Sequence, residues 1–391
     1  MVIGLIMMNT NLFNAFCNST RFSYYRIQIF PNELFDSTSA QSNCEDFIRR
    51  HFEKGKKGEA LNFPPKWKDV YLSKGKHVHT VVLYLTGLLL ENLFTNEVRK
   101  SLKSKITDMS WYDFRYTWFL TCLFHDAASS IEGLQVDNCS CGLDETLKKL
   151  DVTITPFTYT PLQPHAELTC YNWDTIDAYY KFEMDRCGDA FCAEHGIIGG
   201  CMLFDRLYKN FKSFVGTAVL KEGSSYIKDG LSWRIEHLDH FAYICDAIIC
   251  HNLWTVSQGY DDDDYIQIEK YHKFNLDDLI IPNPNASPNS SDKRIGFHQQ
   301  PLQFMLRLLD SLEPVKFFAG DSIDHAKFVL SHTAFCRADN AEGITVSWDE
   351  ALTSSYSVAL EQWCNKIFGL PRWLKVCIKI PDNRSISIIF N

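Results

Sequence analysis

The sequence predicts a mainly α protein: a helical bundle with a long insertion and a small C-terminal α/β appendage. Three observations carry that expectation. Apolar residues recur at helical spacing through five stretches between Lys76 and Pro314, and a Thr-, Pro- and Asp-rich interval, 133–189, interrupts them. Two alternating runs about a PDNR turn follow near the end of the chain. With 391 residues, 46% hydrophobic and 14% aromatic, the chain has enough apolar material for a substantial core.

Taken in order, residues 1–65 form an N-terminal extension of mixed character. Its apolar opening, MVIGLIMMNTNLF, is short and has neither a basic leading region nor a small-residue cleavage site, so it reads poorly as a signal peptide. A strand is expected at Tyr24–Phe30 and a helix at Asn43–Phe52, before a turn-rich stretch at 55–65. The main domain spans 66–335. Its first helix contains HVHTVVLYLTGLLLENLF, with His79, Leu83 and Gly87 on one stripe, and small Gly87 marks a place where two helices approach closely. His77 lies roughly 200° away from His79 around an ideal helix, so only one of the two faces the interior; the packing pattern favours His79.

The second helix, Trp111–Phe124, runs directly into His125-Asp126. An imidazole and a carboxylate at the inner end of a buried helix are costly unless something engages both, and a divalent metal does so by taking both as ligands. The alternative is a capped helix end. After the 133–189 interval, which reads as a lid or a self-structured insertion, a third helix (Ala190–Phe211) carries His195 and the Gly199-Gly200 pair. A fourth, Trp233–Trp254, places His240 and His251 on one face, three turns apart. A polar loop at 256–296 follows, whose Asp261–Asp264 run reads as solvated. The fifth helix, Pro301–Pro314, brings Asp310. The appendage, 336–391, is expected to pair a helix at Trp348–Phe368 with a hairpin formed by Leu374–Ile380 and Ser385–Phe390.

Lys plus Arg number 39 against 48 Asp plus Glu, a net charge of −9, which argues against a nucleic-acid-coating surface. No run is long enough to span a bilayer. Many of the 14 cysteines sit in apolar helical stretches, where a reduced thiol acts as a small hydrophobe, so a cytoplasmic protein is expected. Cys139 and Cys141 have no second pair at matching spacing and read as loop residues. There is no Gly-rich phosphate loop and no nucleophile elbow.

Five apolar helices thus carry His79, His125-Asp126, His195, His251 and Asp310. Each alone has an ordinary structural explanation, but burying four imidazoles and two carboxylates without compensation is hard to offset in a marginally stable fold. A shared metal centre satisfies them all.

This ordered set, with its contexts LFHDAAS, EHGIIGG, IICHN and LLDSLEP, resembles the HD-domain superfamily of metal-dependent phosphohydrolases over roughly Trp67 to Pro314. The chain departs from that pattern at Ala127-Ala128, where members often carry Ile-Gly. The resemblance implies an HD-domain helical bundle in which His79, His125, Asp126 and Asp310 hold a first metal. His195 and His251 are similar to the added ligands of two-metal members, with Asp126 bridging. It implies hydrolysis of a phosphoester or nucleotide by a metal-bridged hydroxide attacking phosphorus, with one or two divalent ions (Mn, Fe, Mg or Zn) as cofactor.

His195, His240 and Lys76 are the candidate catalytic groups, His240 as leaving-group acid and Lys76, with Lys74, as a phosphate clamp; a packed histidine and a solvated helix start are the alternatives. The expected partner is a small phosphorylated, nucleotide-like substrate rather than a nucleic acid or a membrane. The same six ligands also occur in di-iron oxygenases similar to myo-inositol oxygenase. A non-catalytic ligand-sensing module is the third reading.

Overall fold

The computed structural model describes residues 10–18, 23–24, 27–28, 31–36, 76–93, 114–126, 128, 142–156, 158, 173–187, 195–215, 226–228, 231–233, 236–252, 294–298, 300–318, 322–339 and 341–391. The expected helix at Asn43–Phe52, the Cys139/Cys141 pair, Lys74 and the Asp261–Asp264 run lie outside them.

The chain is mainly helical, as its periodicity predicts. In chain order come α1 (Leu12–Asn18), a minimal antiparallel pair β1 (Ser23–Tyr24) and β2 (Ile27–Gln28), α2 (Pro31–Leu34), α3 (Lys76–Leu93), α4 (Phe114–Phe124), α5 (Leu143–Lys149), α6 (Trp173–Cys187) and α7 (His195–Val215). A second small pair, β3 (Tyr226–Lys228) and β4 (Leu231–Trp233), precedes α8 (Glu236–Cys250) and α9 (Pro301–Leu312). Then follow α10 (Val315–Phe318), α11 (Ile323–Ser331), β5 (Thr333–Arg337), β6 (Gly343–Trp348), α12 (Glu350–Ser355), α13 (Ser357–Phe368), β7 (Val376–Asp382) and β8 (Ser385–Phe390).

Close packing of α3, α4, α7 and α8 follows from small residues where helices meet. A side chain added at Gly87 would fall inside the Trp118 indole, whose Nε1 donates to the Tyr84 carbonyl at 3.2 Å, so α3 and α4 approach as the sequence predicts. A Cβ on Gly200 would sit 2.7 Å from the Cys245 carbonyl oxygen, and one on Gly199 would sit 3.1 Å from the Ala128 Cβ. The Gly-Gly pair therefore lets α7 press against α8 on one side and against the segment after His125-Asp126 on the other, where Ala128 matches it in size.

The 133–189 interval is partly helical. Leu143 and Leu147 of α5 and Ile176 and Tyr180 of α6 join Ile197 and Cys201 of α7 in a second buried cluster, beside the main one. The described helices of the interval thus pack on α7 and on the end of α8 through Ile249 and Cys250. Among the described residues no helix is long and apolar enough to cross a membrane.

The C-terminal sheet is antiparallel, with strand order β5-β6-β8-β7. The expected hairpin forms, but as half of a four-stranded sheet, with β8 inside it. Ile344, Val346, Ile386 and Ile388 are buried together with Trp363 of α13, and Phe390 packs edge-on against Phe304 of α9, ring centroids 5.0 Å apart. The sheet thus shares its core with the helix that carries Asp310.

Four sequence expectations change at element ends. Where one strand was expected at Tyr24–Phe30, the described residues Ser23–Tyr24 and Ile27–Gln28 pair antiparallel with each other. Trp233 belongs to β4, and α8 starts three residues later. Trp348 ends β6 rather than opening a helix. The expected helix at Trp348–Phe368 is two helices: the Asp349 side chain caps α12 through the Ala351 and Leu352 N–H groups, and Tyr356, at φ −142°, breaks it from α13.

Candidate metal centre

Five helix ends build the site. His79 is in the first turn of α3 and His125-Asp126 follows the last turn of α4. His195 opens α7 as described, His251 follows α8, and Asp310 lies in the last turn of α9. Three of these ends are helix C-termini, whose unsatisfied carbonyls favour a cation nearby.

The six residues gather into two adjoining groups. His79, His125 and Asp310 form one, and Asp126, His195 and His251 the other; within each, the ligand atoms all lie within 4.8 Å of one another. Asp126 joins the two. Its Oδ2 lies 3.4 Å from His125 Nε2 and 3.8 Å from His79 Nε2, while its Oδ1 lies 3.2 Å from His195 Nε2. His79 Nε2 is 3.2 Å from both His125 Nε2 and Asp310 Oδ1.

Hydrogen bonds behind the imidazoles set which nitrogen faces inward. His125 Nδ1 donates to the Cys122 carbonyl at 2.7 Å and His251 Nδ1 to the Ile248 carbonyl at 2.6 Å, which leaves Nε2 of each as the bare nitrogen. His79 Nδ1 lies 2.8 Å from Glu313 Oε2. His251 Nε2 is buried with no hydrogen-bond partner among the described residues. A buried imidazole nitrogen of that kind, beside a carboxylate and two further histidines, suits a borderline divalent cation. The donor set therefore fits a two-ion centre held by nitrogen and carboxylate oxygen.

Electrostatics agree with that assignment for His125, His251 and the two carboxyls, while His79 is held toward its protonated form and would exchange that proton for an ion. Burial pushes the His125 imidazole down to about 4 against the pull of Asp126, and burial with neighbouring His195 and His125 holds His251 well below its ordinary value. Burial also disfavours a charged His79, but hydrogen bonds to Asp310 and Glu313 outweigh it and raise that group to about 9. For Asp126 burial is outweighed by His125, His195 and Lys76, and for Asp310 by Lys316 and His79, so both carboxyls stay well below the usual range and ionised.

Two ammonium groups edge the cluster. Lys76 Nζ lies 2.8 Å from Asp126 Oδ2, and Lys316 Nζ lies 2.8 Å from Asp310 Oδ1; their side chains are 33% and 29% exposed, so they stand toward solvent from the buried ligands. The structure brings together every predicted ligand and Lys76. It does not bring in His240, which is buried on α8 roughly 16 Å along the helix from His251. Burial lowers His240 to about 4, so it is neutral. A shared stripe put both histidines on one face but not at one point, and this corrects the assignment of His240 as leaving-group acid.

Sequence reasoning missed three supporting residues. Glu313 is fully buried and receives His79. Buried Arg307 reaches from α9 to the Cys250 carbonyl, its Nε at 2.9 Å, and closes the end of α8 just before His251. Asn252 brings its side-chain amide 2.6 Å from His195 Nε2, while its own carbonyl accepts from Tyr179 of the insertion helix α6 at 3.4 Å. The only advance signal was position: each is within three residues of a ligand, or one helical turn before one. No family model, no curated protein and no solved structure matches this chain.

Proposed function

We propose that the chain is a metal-dependent hydrolase of a small phosphoester or nucleotide, acting at the two adjoining groups of His and Asp. One observation carries the reading: the two oxygens of Asp126 face different ligand groups, Oδ2 toward His79 and His125 and Oδ1 toward His195. A single carboxylate shared in this way is what a binuclear hydrolytic centre needs. Divalent ions bound there would supply an acidified water and neutralise phosphoryl oxygens.

The chain's own residues do the rest. His125 and His251 present Nε2 lone pairs fixed by the bonds from their Nδ1 atoms to backbone carbonyls, His79 would release the proton that Asp310 and Glu313 favour when an ion binds, and Asp126 and Asp310 add negative charge. Lys76 and Lys316 at the solvent side attract an anion and can orient its oxygens, which supports a phosphorylated substrate over a neutral one. With His240 remote, Lys76 is the candidate to assist the leaving oxygen.

The test is metal analysis of the purified protein, then phosphate release from a panel of nucleotides and phosphomonoesters with added Mn²⁺ under anaerobic conditions. Metal-dependent release that is lost in His125→Ala and Asp126→Ala is expected. Equal, negligible metal in wild type and both variants would sink the idea, and turnover that instead requires iron and consumes oxygen would replace hydrolysis with oxygenation.

A further inference from the structure

We infer that Lys366, on α13 of the C-terminal appendage, is a specificity-determining residue: beside Lys316 it receives the second phosphoryl group of a di- or triphosphate substrate, a group that a monoester lacks. The inference deepens the phosphohydrolase reading above and rests on it for the place of the reacting phosphoryl group.

Helix packing brings Lys366 toward the site. α13 packs on α9, the helix of Asp310, and on α10, which carries Lys316. Its inward face is marked by Trp363 and Ile367, both fully buried, and Trp363 meets Phe318 of α10 edge to face with ring centroids 5.6 Å apart. Lys366 lies three residues after Trp363 and one before Ile367, in the last turn of the helix, so it borders that face. Its side chain is half-buried there, and the charges that act on it are those of Lys316, Asp310 and Arg307.

The carboxylates of this neighbourhood already have cationic or imidazole partners. Lys316 meets Asp310, Lys76 meets Asp126 and His79 meets Glu313, each at 2.8 Å. Lys366 makes no hydrogen bond or ion pair among the described residues, and the strongest charge on it is another ammonium, that of Lys316. Burial and that repulsion both disfavour its charged form. A half-buried ammonium beside two other cations costs the free protein stability. What it lacks is negative charge, which a ligand can supply.

Position decides which part of the ligand. The reacting phosphoryl group belongs beside Asp126, whose oxygens face both ligand groups, with bound ions and Lys76 as its counter-charges. Neither Asp126 nor Lys76 is among the charges that act on Lys366, which lies instead against α9 and α10. A group held by Lys366 is therefore one removed from the reacting one.

The experiment is isothermal titration calorimetry of tripolyphosphate and orthophosphate into EDTA-stripped, desalted full-length protein at low salt, where neither anion can draw off a metal. Wild type is expected to bind tripolyphosphate the more tightly. Lys366→Met should lose about 10- to 100-fold for tripolyphosphate and far less for orthophosphate, and Lys366→Arg should keep the wild-type preference. Lys366→Met should also melt no lower than wild type, an outcome that a merely structural ammonium would not give. In Mn²⁺-loaded protein the same substitution should raise KM for a nucleoside di- or triphosphate, not for a monophosphate, with kcat held.

Wild type that binds both anions alike, or a Lys366→Met loss that is absent or equal for both, overturns the inference. If circular dichroism shows Lys366→Met unfolded, Lys366→Gln carries the same test, and if both unfold the residue is structural and the inference falls. A Lys366-dependent preference in protein that releases phosphate from no nucleotide refutes hydrolysis alone, whereas metal-dependent release without that preference refutes the inference alone.

Discussion

Removing the Asp126 carboxylate should abolish stabilisation by both ions at once, because its two oxygens serve both ligand groups. An ion present at a hundred times its dissociation constant stabilises the folded state by about 2.7 kcal/mol per site. For 391 residues the entropy of unfolding is roughly 0.8 kcal/mol per kelvin, taking about 2.1 cal/mol/K per residue. Each occupied site then raises Tm by about 3 °C, and the pair by about 6 to 7 °C.

Differential scanning calorimetry with Mn²⁺ and with EDTA measures the shift directly. Wild type should show both increments, His251→Ala and Asp310→Ala one each, and Asp126→Ala none. Each variant is compared with its own EDTA baseline, which separates metal binding from any change in intrinsic stability. An Asp126→Ala protein that retains the full wild-type increment would refute the shared-carboxylate argument, and one that retains half would show that the carboxylate serves a single ion.

Other outcomes follow from the packing and charges. Gly87→Ala should destabilise by about 1–3 kcal/mol despite the better helix propensity of alanine, because the new methyl meets the Trp118 indole; a rise in the urea midpoint would contradict this. Neutral, buried His240 has its folded value at about 4 against an ordinary 6.5, so it contributes stability that is present above about pH 6.5 and lost as pH falls toward 4, on the order of 3 kcal/mol. His240→Gln should flatten that acid limb in urea titrations at pH 7 and pH 4.5, and an unchanged limb would place the effect elsewhere. Arg307→Met should cost about 1.5–3 kcal/mol through loss of the bonds to the Cys250 carbonyl, and should weaken the ion step that depends on His251 more than the other, as read by Mn²⁺ titration.

The legible part of this fold was what periodicity encodes. The five helices beside His79, His125-Asp126, His195, His251 and Asp310 could be read because apolar spacing recurs in each with a few polar residues set into it, and Gly87 announced its close contact by being small on a packed face. Less legible was what depends on partners far along the chain. Glu313 looks in sequence like an ordinary acid before a proline, and its role exists only because His79, 234 residues earlier, lies against it.

His240 shows the opposite error, since a helical wheel discards distance along the axis. The break at Tyr356 was hidden because apolar residues continue across it. The signal that could have revealed it is Asp349, an N-cap residue in the middle of the expected helix. Strands β5 and β6 were missed because half of their polar positions are only partly exposed, so alternation is blurred, and β8, the second partner of β6, lies some forty residues on.

The position of β8 inside the sheet, with Phe390 against Phe304 of α9, has a bearing on how the protein matures. The helix that carries Asp310 leans on a strand made long after it, so the cluster of histidines and carboxylates should be among the last parts to consolidate as the chain is synthesised. A protein cut short before residue 385 would be expected to emerge with its early helices formed, its ligands poorly aligned and its apolar α9 surface open to chaperones or to its own kind.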